Sequence, residues 1–278
     1  MRAAEILGVD TVRFIEPGFA SLTDSGYTAG LARIKADEGR LLLDEHEEPL
    51  AVAFHTTDGW VAGSFLCRNP SVAVIDLFEE VNGELFQEDR AVWSGAVREY
   101  FSNLLMVNIP PSIDDLNPSR PAILKRLITG VWGIGHGETC IDCCCGSGVG
   151  SAVLRDLGFA PLSYDNDDSL LSRGLAERRL LPEETMWIDA TVASKYIEPA
   201  PKGVVIMAGE VNSFNQEMWE RIVSEVCSVT RDTLITVGTG KEAELVREWG
   251  RAMDRTVEVT ENPADPIYDR WVCRVYPA

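Results

Sequence analysis

Two short apolar runs, 51–54 and 60–65, flank the turn-forming Thr56-Thr57-Asp58-Gly59, and this pattern predicts a β-hairpin. Over 88–107 the apolar residues Val92, Trp93, Ala96, Val97, Tyr100, Phe101, Leu104 and Leu105 recur at three- and four-residue spacing, which predicts an amphipathic helix. That spacing assigns Trp93, Tyr100 and Phe101 to core packing, and the alternation of the hairpin does the same for Trp60. Asn108-Ile109-Pro110-Pro111 ends the helix, and the stretch 110–121, with four prolines and the polar Asp114, Asp115 and Asn117, predicts a linker. A second helix is expected over 120–132.

Beyond it, strand-like and helix-like runs alternate: 139–144, 149–157, 161–164, 169–180, 185–188, 203–207, 217–229, 233–237, 242–253, 255–260 and 271–276. Repeated strand-then-helix order with short loops specifies a parallel sheet covered by helices on both faces. The last two strands have no helix between them. Their ten-residue connection, with Pro263 and Pro266, is too short for a crossover and predicts an antiparallel pair.

The reading is therefore an α/β chain: a doubly wound, mostly parallel, Rossmann-like sheet with an antiparallel C-terminal strand pair, preceded by an α+β region. The expected division is 1–116 for an accessory, acceptor-recognising region and 117–278 for the sheet domain.

The glycine-rich segment carries the chemistry. Thr139-Cys-Ile-Asp-Cys-Cys-Cys-Gly-Ser-Gly-Val-Gly150 reads as a buried strand running into a glycine turn at a helix start, where side chains would collide with a ligand. A glycine turn alone also suits nicotinamide and flavin sites. Here, though, Gly146-Ser-Gly148-Val-Gly150 sets the third glycine one residue early for the dinucleotide Gly-x-Gly-x-x-Gly.

This segment resembles the first motif of class I S-adenosylmethionine-dependent methyltransferases, in which an Asp precedes Gly-x-Gly-x-Gly. Asp142 matches the Asp, and Cys144, Gly146 and Gly148 fall at the three glycines, Cys144 being a departure. The resemblance covers about 138–278. It implies that Asp165, with Asn166, ends the second strand and receives the two ribose hydroxyls, a role that would repel the 2′-phosphate of NADP. It further implies that Asp189, with Ala190, ends the third strand and receives the adenine amino group.

Glu210 and Asn212, after the fourth strand, become the acceptor-side catalytic candidates. The implied cofactor is S-adenosyl-L-methionine, and the implied activity is methyl transfer to a small-molecule or protein acceptor. The alternatives are transfer of another group of the cofactor, or a non-catalytic interaction module. Glu210-Val-Asn212-Ser lacks the Asn/Asp-Pro-Pro-Tyr/Phe signature of amino-methyltransferases acting on bases or glutamine.

Charge narrows the partners. The net charge of −19 is spread over the chain, −9 through Gly130 (11 cationic against 20 anionic residues) and −10 afterwards (14 against 24). Such a surface disfavours a nucleic-acid partner, whose binding needs clustered Lys and Arg.

No apolar run approaches the roughly 18 residues of a membrane span, and the N-terminus has no secretory pattern, so a soluble, cytoplasmic protein is expected. Seven cysteines, four of them crowded into 140–145, suit a reducing compartment. Adjacent cysteines on a strand point to opposite sides and cannot converge on one ion, so no metal is expected, and Cys140, Cys143 and Cys144 read as small packing residues. Of the three histidines, His46, His55 and His136, the last is nearest the glycine motif. The pattern leaves the oligomeric state open.

Overall fold

The computed structural model describes residues 2–113 and 116–278; Asp114 and Asp115 of the expected linker lie outside the described residues. The chain forms two compact units, Met1–Leu104 and Leu105–Ala278, which divide inside a long helix and not after it.

The first unit comprises α1 (Arg2–Ile6), β1 (Arg13–Phe14), α2 (Ser25–Leu31), β2 (Glu38–Leu43), β3 (Pro49–Thr56), β4 (Gly59–Ser64), α3 (Val72–Glu80), β5 (Glu84–Gln87) and most of α4 (Arg90–Asn108). Its sheet runs β1-β4-β3-β2-β5. The predicted hairpin is β3–β4, antiparallel, with Thr56 opposite Gly59. Parallel pairings of β1 with β4 and β2 with β5 extend it at both edges.

One sheet face, with Leu41, Val52, Phe54 and Val61, packs with Leu31, Val74 and Phe78 of α2 and α3. In α4 the aromatic part of the helical stripe is core as expected, while Leu104 is exposed: Trp93 is fully buried, and Trp93, Tyr100 and Phe101 surround Phe14 at ring-centroid distances of 6.1, 4.7 and 5.5 Å.

The second unit holds α5 (Arg120–Trp132), β6 (Thr139–Cys143), α6 (Val149–Asp156), β7 (Ala160–Asp165), α7 (Asp168–Ala176), β8 (Thr185–Trp187), β9 (Ala200–Val205), α8 (Gln216–Val229), β10 (Thr230–Val237), α9 (Gly240–Ala252), β11 (Arg255–Glu261) and β12 (Trp271–Pro277). The sheet order is β11-β12-β10-β9-β6-β7-β8. β6 to β10 are parallel, and β12 is antiparallel to both β10 and β11. This is a Rossmann-like sheet with the expected reversed C-terminal pair.

Strand alternation divides the core between two faces. Cys140, Val204, Leu234 and Val272 pack with Leu124, Ile128, Val153 and Leu154 of α5 and α6. On the other face the Cys273 thiol approaches the Ala243 carbonyl of α9. A capping box, in which Thr239 and Glu242 bond each other's backbone N–H, starts α9.

Helix α7 is shorter than the periodicity predicts, ending at Ala176 and not Leu180. Arg178 turns left-handed (φ 57°), and the N–H groups of Arg179 and Leu180 both return to the Gly174 carbonyl. The chain thereby leaves the helix and buries Leu180 with Leu105, Leu171 and Leu175.

Candidate cofactor site

Parallel strands bring the tips of β6 to β10 to one edge of the sheet. At β6 the connections diverge, β7 lying on one side and β9 on the other, and such a switch point opens a crevice at the strand ends. The glycine turn occupies this place.

Three left-handed residues make the turn: Cys144 (φ 55°), Gly146 (φ 52°) and Gly148 (φ 77°), the last being the N-cap of α6. A Cβ on Gly148 would stand 2.5 Å from Leu180 Cγ, so both backbone and packing demand glycine there. Arg179 Nε braces the turn by donating to the Ser147 carbonyl at 2.8 Å.

Asp142, the penultimate residue of β6, lies beneath α6 and is 1% exposed. Ser151 Oγ donates to its Oδ2 at 2.6 Å, and Ser151 also meets Ser163 Oγ at 2.8 Å. The carboxylate lies so close under α6 that a Cβ on Gly150 would come within 2.8 Å of Oδ2. Burial pushes its pKa up to about 7; the Ser151 bond opposes the shift and the charge of Asp165 adds to it.

Asp165, at the tip of β7, binds the turn from the side. Its Oδ2 accepts the Gly146 N–H and its Oδ1 the Asp167 N–H, each at 2.8 Å. Burial raises its pKa, against which these two N–H bonds act. Among the described residues, neither Asp142 nor Asp165 has an ion-pair partner.

Asn166 is exposed, and its carbonyl accepts Trp187 Nε1 at 3.1 Å. Trp187, 41% exposed at the tip of β8, is a residue the sequence reading passed over; an aromatic in a strand run reads as core. Asp189 follows it, exposed, with Oδ1 accepting both the N–H and the hydroxyl of Thr191 at 2.8 Å, and it caps the 3₁₀ turn Ala190–Lys195. Ala190 is buried.

Beyond β9 the chain forms the loop that carries Glu210 and Asn212, both exposed. Asn215 ties the loop: its Nδ2 donates to the Glu210 carbonyl (2.9 Å), and its Oδ1 accepts the Asn212 N–H (2.8 Å). Asn212 Oδ1 accepts the Phe214 N–H, so its side chain helps shape the loop. Two residues anchor the loop to the β10 side. The Val211 N–H donates to Glu242 Oε1 (2.9 Å), and the Met207 N–H donates to Thr236 Oγ1 (2.7 Å). Thr236 in turn donates to fully buried Asp269 (2.6 Å), which Arg120 approaches to 3.0 Å.

The structure thus gathers Asp142, Cys144, Gly146, Gly148, Asp165 and Asn166 around one turn. Asp189 and Ala190 lie at the β8 tip and Glu210 and Asn212 beyond β9, all at the same sheet edge. His136 lies elsewhere, just before β6 at the opposite end of the strand.

Both thiols of the turn are held above the ordinary thiol range. The Cys145 thiol is raised by desolvation, and that of Cys144 first by its contact with Cys143, whose sulfur is 3.7 Å away. Among the described residues no three His, Cys, Asp or Glu side chains are grouped to hold a metal ion, and no helix is long and apolar enough to cross a membrane.

No family model matches the sequence, and no curated protein does. Solved structures of methyltransferases align with part of this chain. Magnesium protoporphyrin IX methyltransferase from Synechocystis PCC 6803, with bound S-adenosylmethionine, aligns at 12% identity over 66% of this chain and 96% of its own, with a TM-score of 0.47. A precorrin-6y methyltransferase from Geobacter metallireducens aligns at 9% identity over 62% of this chain and 95% of its own, with a TM-score of 0.44. These likenesses concern the fold.

Proposed function

We propose that the second unit binds S-adenosyl-L-methionine across the tips of β6, β7 and β8, and that the protein transfers its methyl group to a small-molecule or protein acceptor. One observation carries the reading. The left-handed turn 144–148 sits at the switch point of a sheet ordered β11-β12-β10-β9-β6-β7-β8, with Asp142 near the end of β6, Asp165 at the end of β7 and Asp189 just beyond β8, all at the same sheet edge.

The chemistry of these groups fits the cofactor. Asp165 accepts the N–H groups of Gly146 and Asp167, one on each oxygen, and a carboxylate accepts about four hydrogen bonds, so acceptor capacity remains for a ribose hydroxyl. Asp189 uses Oδ1 for its cap and faces solvent at the adenine end, where Trp187 offers an exposed ring. Two carboxylates without ion-pair partners beside the turn suit a ligand of net positive charge and oppose a dinucleotide diphosphate.

The cofactor supplies an electrophilic methyl group on a sulfonium. What the chain contributes is orientation, with Glu210 as the candidate either to take a proton from the acceptor or to bind a cationic one. The net charge of −19 favours a small-molecule or protein acceptor over nucleic acid.

The test is isothermal titration with S-adenosylmethionine and S-adenosylhomocysteine, with Asp165→Ala as control and NAD as competitor. Micromolar binding that the variant loses supports the reading, and preference for NAD overturns it. Incubation of labelled donor with lysate and with a metabolite extract then sorts protein from small-molecule acceptors.

A further inference from the structure

Five of the twelve large apolar side chains exposed among the described residues fall on two segments at one end of the second unit. Met207, Phe214 and Met218 lie on the loop after β9 and the first turn of α8, and Ile267 and Tyr268 lie on the connection from β11 to β12. Phe214 is 99% exposed and Ile267 66%. Single exposed apolar residues are ordinary, but a group of them at one place on a surface marks a binding site.

Hydrogen bonds order both segments and bring them together. Asp265 Oδ1 accepts the N–H groups of Ile267 (3.1 Å) and Tyr268 (2.9 Å), and Asn262 Nδ2 donates to the Asp269 carbonyl (3.0 Å). The segments meet at Gly238, where a Cβ would stand 3.0 Å from the Ile267 carbonyl oxygen and 3.7 Å from Glu242, the acceptor of the Val211 N–H. Met207 is held left-handed (φ 57°), a conformation that a non-glycine residue keeps only where its surroundings impose it.

Register sets this patch beside the glycine turn. β9 neighbours β6, with Val204 opposite Asp142. Three residues beyond that pair the two chains reach Met207 of the patch and Cys145 of the turn, leaving strands that lie about 4.8 Å apart.

Charge narrows the occupant. Segments 207–221, 238–242 and 261–270 carry seven Asp and Glu against three Lys and Arg. Of the three, Arg270 pairs with Glu261 and Arg221 donates to the Thr191 carbonyl. Arg120, 5.6 Å over the Tyr268 ring, is bound to Asp269. Such a surface repels an anion. A protein partner needs about 20–30 residues a side, whereas here a few apolar side chains are rimmed by charged ones.

We propose that this patch is the acceptor subsite and takes an apolar, ring-bearing small molecule that is uncharged or cationic. The proposal deepens the methyl-transfer reading and rests on it. Aromatic and thioether side chains give face and edge contacts to a flat ring, so the patch covers the body of the acceptor beside the turn assigned to the donor.

The experiment is equilibrium dialysis of the full chain, saturated with S-adenosylhomocysteine, against 2-naphthylmethylamine, 2-naphthylmethanol and 2-naphthoate, which share one ring and differ in charge. The amine and the alcohol bind at least about tenfold more tightly than the carboxylate. Phe214→Ser and Ile267→Ser, which alter exposed side chains, each weaken them by about three- to tenfold and leave S-adenosylmethionine affinity within threefold. Val72→Ser, exposed on the first unit, changes neither. Labelled donor incubated with lysate and metabolite extract marks small molecules that partition into organic solvent.

Equal binding of the carboxylate overturns the proposal, and so do wild-type affinities in both patch variants or an equal loss in Val72→Ser. Label confined to protein also overturns it, the patch then being a protein-docking surface. Donor binding without binding of any naphthyl probe removes the acceptor class alone. Absence of donor binding removes the cofactor reading itself, and this proposal with it.

Discussion

The Asp165 carboxylate accepts the backbone N–H of Gly146 at 2.8 Å, so the tip of one strand fixes the turn that follows its neighbour. A residue offered for ribose recognition thus also shapes the glycine turn. The two roles predict a compound phenotype. Asp165→Ala leaves the Gly146 and Asp167 N–H groups without their acceptor, which costs about 1–3 kcal/mol of stability by chemical denaturation. It also abolishes cofactor binding under conditions where the variant is still folded. A folded Asp165→Ala that binds S-adenosylmethionine within threefold of wild type would sink the ribose assignment.

The two turn glycines are predicted to separate packing from ligand clearance. Gly148→Ala forces a Cβ to 2.5 Å from Leu180 in a left-handed backbone, and should cost about 2–4 kcal/mol. At Gly146 the nearest side-chain atom, Leu170 Cδ1, is 3.8 Å away, so Gly146→Ala carries only the left-handed penalty of about 1–2 kcal/mol. Its larger effect falls on cofactor affinity, because the new methyl group projects into the space assigned to the ligand. Equal stability losses at the two positions would contradict the packing described.

The sheet of the second unit was legible because its inner strands, such as β6 and β10, are runs of buried residues bounded by turn residues. Its order of parallel strands follows from short connections that must cross on alternate faces. The glycine turn was legible for the same local reason, since left-handed positions at Gly146 and Gly148 require the residue found there. The first unit was far less so. Its two-residue β1 and its parallel pairings, Arg13 with Val61 and Leu41 with Leu85, join segments distant in sequence, and no period in the chain records them.

Trp187 and Leu180 escaped for a different reason: periodicity reports burial but not what a residue is buried against. Leu180 continues a helical stripe in sequence, and in the fold it leaves the helix to support Gly148. The bonds that shape the site, Asp165 to Gly146 and Thr236 to Met207, cross between elements and are invisible to any local pattern.

Thr236 links the loop after β9 to the β11–β12 connection, accepting the Met207 N–H and donating to Asp269. Thr236→Val preserves shape and takes one hydrogen bond from buried Asp269 and one from the Met207 N–H, for a predicted loss of about 1–3 kcal/mol. Because Met207 precedes Glu210 on the acceptor side, methyl transfer should fall by at least tenfold while S-adenosylmethionine affinity stays within threefold. A matching loss of cofactor affinity would show that this loop belongs to the donor site.

Asp142 also predicts how stability varies with pH. Its folded-state pKa, about 7, lies above the ordinary 3.8, so the folded protein holds the proton more tightly than the unfolded chain does. Stability is unpenalised below pH 3.8, declines as pH rises, and carries the full penalty above pH 7, up to about 4 kcal/mol for a fully buried carboxyl. Asp142→Asn removes this term and keeps an acceptor for Ser151. Its stability relative to wild type should therefore grow between pH 5 and pH 8, measured as the difference in denaturation midpoint at each pH. A constant difference across that pH range would mean that Asp142 does not titrate there in the folded protein.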